Sequence, residues 1–274
     1  MPFFIALLLG LLQGLTEFLP ISSSAHLLLA QKFFGYEEGD LLFSVTVHLG
    51  TLIAVCIAFR KTVKELFFEV FRTGKDLITL RISPAKASSS RRLLGLLILS
   101  LIPLFIVYPF KGYLDPLLVS PLIGGICLIF NGLILLLCDM VPAGSKTAKT
   151  AKVTDALFVG VVQCVALLPG ISRSGSTITA GVCQGMKRSF AAKYSFLLSI
   201  PTILGGAILE FAEAWGEGID PSKIPLYLTA MVGAALAGLG AILLLKKILK
   251  SKGFHYFAIY SFILGMVTVL TEAF

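Results

Sequence analysis

Charged residues are scarce in this sequence. They make up 14% of it, where soluble domains carry about 25%. That shortage, with a hydrophobic share of 57% and a mean hydropathy of +0.93, excludes an ordinary water-soluble domain. The strict apolar/polar alternation of a membrane β-barrel is also missing. The five cysteines lie in apolar surroundings with no CxxC spacing, so neither a disulfide framework nor a zinc site is expected. Residues 1–19 are apolar but lack a basic start and a small-residue cleavage site, so no cleavable signal peptide is expected. What remains is an all-α integral membrane protein, 1–274 as a single membrane domain.

Apolar runs long enough to cross about 30 Å of hydrocarbon fall at roughly 41–59, 93–110, 118–139, 194–214, 225–245 and 254–273. The formal charge of +8 is unevenly spread between them. Of the 23 Lys and Arg residues, all but Lys32, Lys111, Arg173 and Lys223 fall in four segments: 60–92, 146–152, 187–193 and 246–252. The other connections carry Glu37, Glu38, Asp40, Asp115, Glu213, Glu217 and Asp220. The positive-inside rule puts the four basic segments in the cytoplasm. The positive charge therefore reads as topology, and no nucleic-acid role is expected.

This sidedness constrains residues 153–186, which begin and end on the basic side. The apolar arm 156–168 reaches only about 20 Å as a helix. It must dip in and turn back at "LPGISRSGST", residues 168–177. Pro169 and Gly170 break the first arm, and Ser174 or Ser176 is available to cap the second. Such a re-entrant hairpin is tolerated only where protein or a wet cavity surrounds its irregular backbone. At the N-terminus "FLPISSSAH" interrupts an apolar run in the same way. It predicts a second hairpin entering from the opposite side, the alternative being that 3–19 spans fully. Gln13 and Gln163, and "ISSS" at 21–24 and "ISRS" at 171–174, repeat at a fixed offset. The expectation is six transmembrane helices plus two re-entrant helical hairpins in an inverted repeat, with halves at about 1–140 and 150–274. In such folds the site lies where the broken helices meet.

The polar residues of the two breaks carry the available chemistry. Arg173 is the one basic residue outside the polar segments, and a charge there costs at least about 2.5–3.5 kcal/mol on insertion scales, so a partner is expected. A structural pair with Glu17 is one reading. Anion binding is the other, because the guanidinium fork suits phosphate oxygens. "SRSGST" and "SSSAH" add hydroxyls and free N–H groups at helix starts, which bind phosphate. Glu17 reads as a general base, a divalent-metal ligand or both. His26 reads as nucleophile, base or leaving-group acid, against the commoner structural role of a lone histidine. One of Ser22, Ser23 or Ser24, activated by His26, is the alternative nucleophile. His48, inside the span 41–59, reads first as a packing residue and second as a site contact. Gln13, Gln163 and Asn131 read as interhelical hydrogen-bond formers, and His255 as interfacial.

"QGLTEFLPISSSAH" at 13–26 and "LPGISRSGST" at 168–177 resemble the two signature motifs of the bacterial undecaprenyl-diphosphate phosphatases of the bacitracin-resistance type. Gln13 and Glu17 match the first carboxylate element, followed by Ser22, Ser23 and His26. Pro169, Gly170, Ser172, Arg173, Ser174 and Thr177 match the second motif. Two positions depart from the family pattern: Gln13 stands where many members have Glu, and His48 where Gln is expected. The resemblance implies hydrolysis of undecaprenyl diphosphate to the monophosphate and phosphate, recycling the lipid carrier for peptidoglycan synthesis. It implies a multi-pass protein of the bacterial inner membrane with its site open to the outer face, and a divalent cation, Mg²⁺ or Ca²⁺. The expected catalytic residues are Glu17, Ser23, His26 and Arg173. Ser22, Ser24, Ser172, Ser174, Gly175 and Thr177 are expected to bind substrate, and Glu17, alone or with Gln13, to hold the metal.

A secondary transporter or polyprenyl-phosphate flippase is the rival reading, since inverted repeats with broken helices also suit alternating access. Clustering of Arg173, Glu17, His26 and the hydroxyls in two short motifs favours the enzyme. The Gly205–Gly206 pair and "AALAGLGA" at 234–241 suit close helix packing, within one copy or in a homodimer.

Overall fold

The computed structural model describes residues 1–36, 40–79, 88–113, 120–142, 144–217, 220–249 and 253–273. Among them there are helices and no strands. They are α1 (Phe3–Phe18), α2 (Ser23–Phe33), α3 (Leu41–Ala58), α4 (Arg60–Ile78), α5 (Ser89–Val107), α6 (Pro121–Met140), α7 (Val153–Val165), α8 (Arg173–Cys183), α9 (Arg188–Glu217), α10 (Ile224–Ile248) and α11 (Phe254–Ala273). Six stretches are long and apolar enough to cross a membrane: Leu41–Ala58, Ser89–Phe110, Pro121–Met140, Arg188–Gly216, Pro221–Ile248 and Phe254–Glu272. These match the six expected runs, and the chain is a multi-pass membrane protein.

Two differences stand out. Helix α9 starts at Arg188 rather than near 194, and that guanidinium is satisfied by Asp139 at 3.1 Å and by the carbonyls of Cys138 and Val141. Residues 60–78, read only as a polar connection, form α4. The expected basic residues Arg81, Lys86, Lys250 and Lys252, and the acidic Glu37, Glu38 and Asp115, lie outside the described residues.

The remaining basic segments meet at one end of the bundle. Arg92 donates to the carbonyls of Ala148 and Ala151. Lys187 N–H donates to the Lys146 carbonyl, and Lys246 sits 4.0 Å over the Phe59 ring. At the other end the Tyr227 hydroxyl donates to Asp40, and Lys32 pairs with Glu272. The start of α7 and the residues just after α8 share the basic end, joined through Lys146, which also holds Asp155 at 2.9 Å. The start of α1 and the end of α2 share the opposite end, where Ala6, Leu27, Phe43 and Tyr227 form one apolar cluster.

Helix α1 packs on α10, α7 on α5, and α6 on α11. The first two contacts are made by glycines 150 positions apart: a Cβ on Gly10 would sit 2.1 Å from the Ala230 carbonyl oxygen, and one on Gly160 2.4 Å from that of Ser100. Gly125 and Gly265 face each other across α6 and α11. The backbones therefore approach as only glycine permits. Helices α1 and α7 have 16 and 13 residues, about 24 and 20 Å, which is short of a full crossing. Helix α1 stops at a proline: Leu19 is extended because Pro20 follows it, and a residue before proline avoids the helical region. Helix α7 ends at Val165, and a turn leads from it to Pro169.

Candidate active site

The two breaks meet inside the bundle. Asn131 on α6 holds both: its Nδ2 donates to the Pro20 carbonyl at 3.0 Å, and its Oδ1 accepts from the Ser172 N–H at 3.0 Å. Nδ2 also reaches Ser261 on α11, at 3.2 Å. A Cβ on Gly175 would stand 3.0 Å from Pro20, so the turns touch directly. Arg173, first residue of α8, donates through Nη2 to Glu17, one residue from the end of α1. This is the expected junction.

Glu17 is the centre of a small network. Gln13, one turn earlier, donates Nε2 to Oε2 at 3.1 Å, and the Ser23 hydroxyl donates to the same oxygen at 2.6 Å. The Glu17 side chain is 7% exposed and that of Arg173 15%, so the ion pair is nearly closed off. Breaking such a pair from one side costs about 3–5 kcal/mol, because the other charge stays buried alone.

Helix α2 starts at a strained residue. Ser22 has φ +70°, the one non-glycine residue with positive φ among the described residues. Its hydroxyl caps the helix by accepting from Ala25 N–H, and departures of this kind cost about 1–3 kcal/mol and gather at functional sites. His26 reinforces the turn. Its Nδ1 lies 2.7 Å from the Ser22 carbonyl, which can only accept, so Nδ1 carries the proton. Nε2 is then free to accept from the Tyr260 hydroxyl at 2.7 Å, with the two rings stacked.

Among the described residues no serine hydroxyl of this segment meets the His26 ring: Ser22 and Ser24 bond each other, Ser23 bonds Glu17, and His26 bonds Tyr260. The cap of α8 is Ser172, not Ser174 or Ser176, which lie inside the helix; its hydroxyl accepts from Gly175 N–H at 3.1 Å. Ser172, Ser174, Gly175 and Thr177, expected on the substrate, are all buried. Ser172 and Ser174 bond each other, Ser174 also donates to the Leu19 carbonyl, and Thr177 bonds Ser195. They hold the turn together. Ser23, Ser24, Arg173 and Tyr260 keep exposed surface at this junction. Among the described residues no acceptor meets the N–H groups of Ser23, Ser24, Arg173 or Ser174. Two helix starts thus present open donors beside one guanidinium.

His48 donates Nδ1 to the Ser44 carbonyl at 2.8 Å and is half-buried. His255, at the basic end, contacts Asp139 at 3.0 Å. All five cysteines are free.

The family model described as "Bacitracin resistance protein BacA" matches residues 6–267. The chain belongs to this family. Among BacA-like relatives, a protein of Desulforapulum autotrophicum named undecaprenyl-diphosphatase is 41% identical over 96% of this chain and 95% of its own length. A protein of the same name from Carboxydothermus hydrogenoformans is 39% identical over 98% and 97%, and one from Syntrophotalea carbinolica 36% over 97% of each. The family resemblance read from the two motifs thus extends along the chain. Tyr260 was the site residue that sequence reasoning missed. In sequence it is one aromatic in an apolar run, and nothing there pairs it with a histidine 234 positions earlier.

Proposed function

We infer that this chain is a membrane phosphatase that hydrolyses undecaprenyl diphosphate to undecaprenyl phosphate and phosphate, as its relatives' names state for them. The observation that carries the reading is the Arg173–Glu17–Ser23 chain lying beside two open helix starts. Helix N-termini and guanidinium together suit a diphosphate.

A diphosphate arriving at the two helix starts competes with Glu17 for the Arg173 guanidinium. As Arg173 turns to phosphate, Glu17 loses its counter-charge and becomes a stronger base towards the Ser23 hydroxyl, already 2.6 Å away. We assign Ser23 as nucleophile: the Ser23 Oγ–phosphorus bond forms, its proton goes to Glu17, and the bridging P–O bond breaks with undecaprenyl phosphate leaving. Water then attacks the phosphoserine, releasing phosphate and restoring the hydroxyl. His26 is the base assigned to that water, its Nε2 taking the proton once the Tyr260 hydroxyl it now accepts from turns aside. Arg173 and the helix N–H groups hold the charge that develops on the phosphoryl oxygens.

A divalent cation fits this donor set. Gln13 Oε1 is buried and has no hydrogen-bond donor, on the side chain whose Nε2 donates to Glu17. One carboxylate and one amide oxygen, completed by substrate phosphates and water, suit Mg²⁺, and Ca²⁺ takes the same oxygen ligands. Glu17 and Gln13 would hold the ion, which would neutralise phosphate charge.

Both short helix pairs are assigned as re-entrant hairpins from opposite sides, within an inverted repeat of halves 1–140 and 150–274. The shared ends of each pair, the matched packing of Gly10 and Gly160, and the mutual Gly125–Gly265 contact support this. The charge asymmetry supports a bacterial plasma-membrane protein with its basic end in the cytoplasm, and the site is assigned as open to the outer face. Gly205, Gly206 and Gly240 face open space, which supports a homodimer packed through α9 and α10.

Purified protein in detergent, given a polyprenyl diphosphate with Mg²⁺, Ca²⁺ or chelator, releases phosphate if this assignment holds. Tight binding with no release would favour the transporter.

A further inference from the structure

Helix α4 (Arg60–Ile78) has an apolar face that nothing among the described residues covers. Phe67 is 59% exposed, Val70 51%, Phe71 62% and Ile78 86%. The same helix carries Arg60, Lys61, Lys64, Arg72 and Lys75. At 100° per residue Lys64 and Lys75 flank Phe67 and Phe71, and Lys61 and Arg72 lie further round that side. Among the described residues Arg60, Lys61, Lys64 and Lys75 have no acidic partner within ion-pair distance.

The opposite face is acidic and tied down. Glu65 accepts from Ser90 at 2.9 Å, Glu69 from Ser88 and Arg91, and Asp76 pairs with Arg91 at 2.8 Å. On α4 these contacts spread over about 16 Å of helix. On α5 they stay within its first turn and its cap. A helix running alongside α5 would spread its partners along both, so α4 turns across the end of α5. Its start is fixed too, because the single residue Phe59 separates it from the end of α3. Both anchors, α3 and α5, are spans, so α4 is held at the level of the bilayer surface on the basic side.

We propose that α4 is a bilayer-docking helix that inserts Phe67, Phe71 and Ile78 among lipid chains and selects anionic phospholipid headgroups with Lys64, Lys75 and their neighbours. An amphipathic helix of this composition lies in the interface plane, and anionic headgroups supply the complementary charge. The acidic face, turned to α5, keeps Glu65, Glu69 and Asp76 away from those headgroups.

The test uses the full-length protein in phosphatidylcholine vesicles. Trp215 is the only tryptophan, so Trp215→Phe with Phe71→Trp leaves a single reporter on α4. Expected are blue-shifted emission shielded from iodide, and stronger quenching by chain-brominated phosphatidylglycerol than by chain-brominated phosphatidylcholine at equal mole fraction. That preference falls about fivefold per charge removed in Lys64→Gln and Lys75→Gln, and shrinks with added salt. Emission open to iodide would overturn docking, and equal quenching by the two lipids would overturn headgroup selection. Phosphate release by the two lysine variants in detergent, expected unchanged, shows that they remain folded.

Discussion

Arg173 and Glu17 stand 156 residues apart in the chain and form one nearly closed ion pair between the first residue of α8 and the last turn of α1. Neither charge is tolerable alone in an apolar bundle. The pair therefore joins the two broken segments, and under the proposed function it supplies the anion binder and the base of the phosphoryl transfer. Arg173→Ala and Glu17→Ala should each lower phosphate release by about 10² or more, since each removes a transition-state contact. Arg173→Lys keeps charge but not the fork, and should also fall well below wild type. Near-wild-type rates in both alanine variants would remove the site.

Ser23 and Ser24 are neighbours with different surroundings. Ser23 donates to Glu17, while the Ser24 hydroxyl bonds, among the described residues, only Ser22. Ser23→Ala should lose about 10⁴ or more in rate, as when a covalent nucleophile is removed, whereas Ser24→Ala should stay within about fivefold. Rapid-quench mass spectrometry should find phosphate on residue 23 of the wild type. Normal turnover by Ser23→Ala would make water the direct nucleophile.

Tyr260 should act through His26. Tyr260→Phe keeps the stacked ring but deletes the hydroxyl at 2.7 Å from Nε2. A neutral hydrogen bond contributes about 1 kcal/mol, so kcat should fall about fivefold with KM little changed and the pH profile displaced. A change in KM alone would place Tyr260 on the substrate instead.

Asn131 is the clamp. Asn131→Leu strands the Pro20 carbonyl and the Ser172 N–H, each buried polar group costing about 1–3 kcal/mol. Thermal unfolding in detergent should occur at lower temperature, and activity should drop although residue 131 supplies no chemistry. Unchanged stability would mean the turns hold themselves.

The α1–α10 contact rests on Gly10. Gly10→Ala puts a methyl 2.1 Å from the Ala230 carbonyl oxygen and should destabilise by about 1–3 kcal/mol. Gly74→Ala on α4, with nothing within 4 Å, should leave stability unchanged or raise it by up to about 1 kcal/mol. Equal unfolding temperatures for the two variants would refute the close approach.

Much of this was legible in the chain. Six spans follow from hydropathy because the bilayer sets a minimum apolar length that composition either meets or does not. The breaks follow from Pro20 and from Pro169–Gly170, since proline restricts its predecessor wherever it stands. The junction followed from Arg173 itself, a charge that had to find a partner. Helix α4 was not legible by hydropathy alone: its apolar residues are spaced around a helix and interleaved with lysines, so the average reads as polar.

By itself the sequence determined the membrane class, the sidedness of charge and the two places where helices must break, all properties of local composition and single-residue geometry. Only tertiary structure decided which hydroxyl meets Glu17, that Ser172, Ser174 and Thr177 turn inward to one another, that His26 answers to Tyr260, and that Asn131 binds both turns. Those outcomes depend on distances of about 3 Å between helices far apart in the chain, and no spacing rule within one segment carries that information.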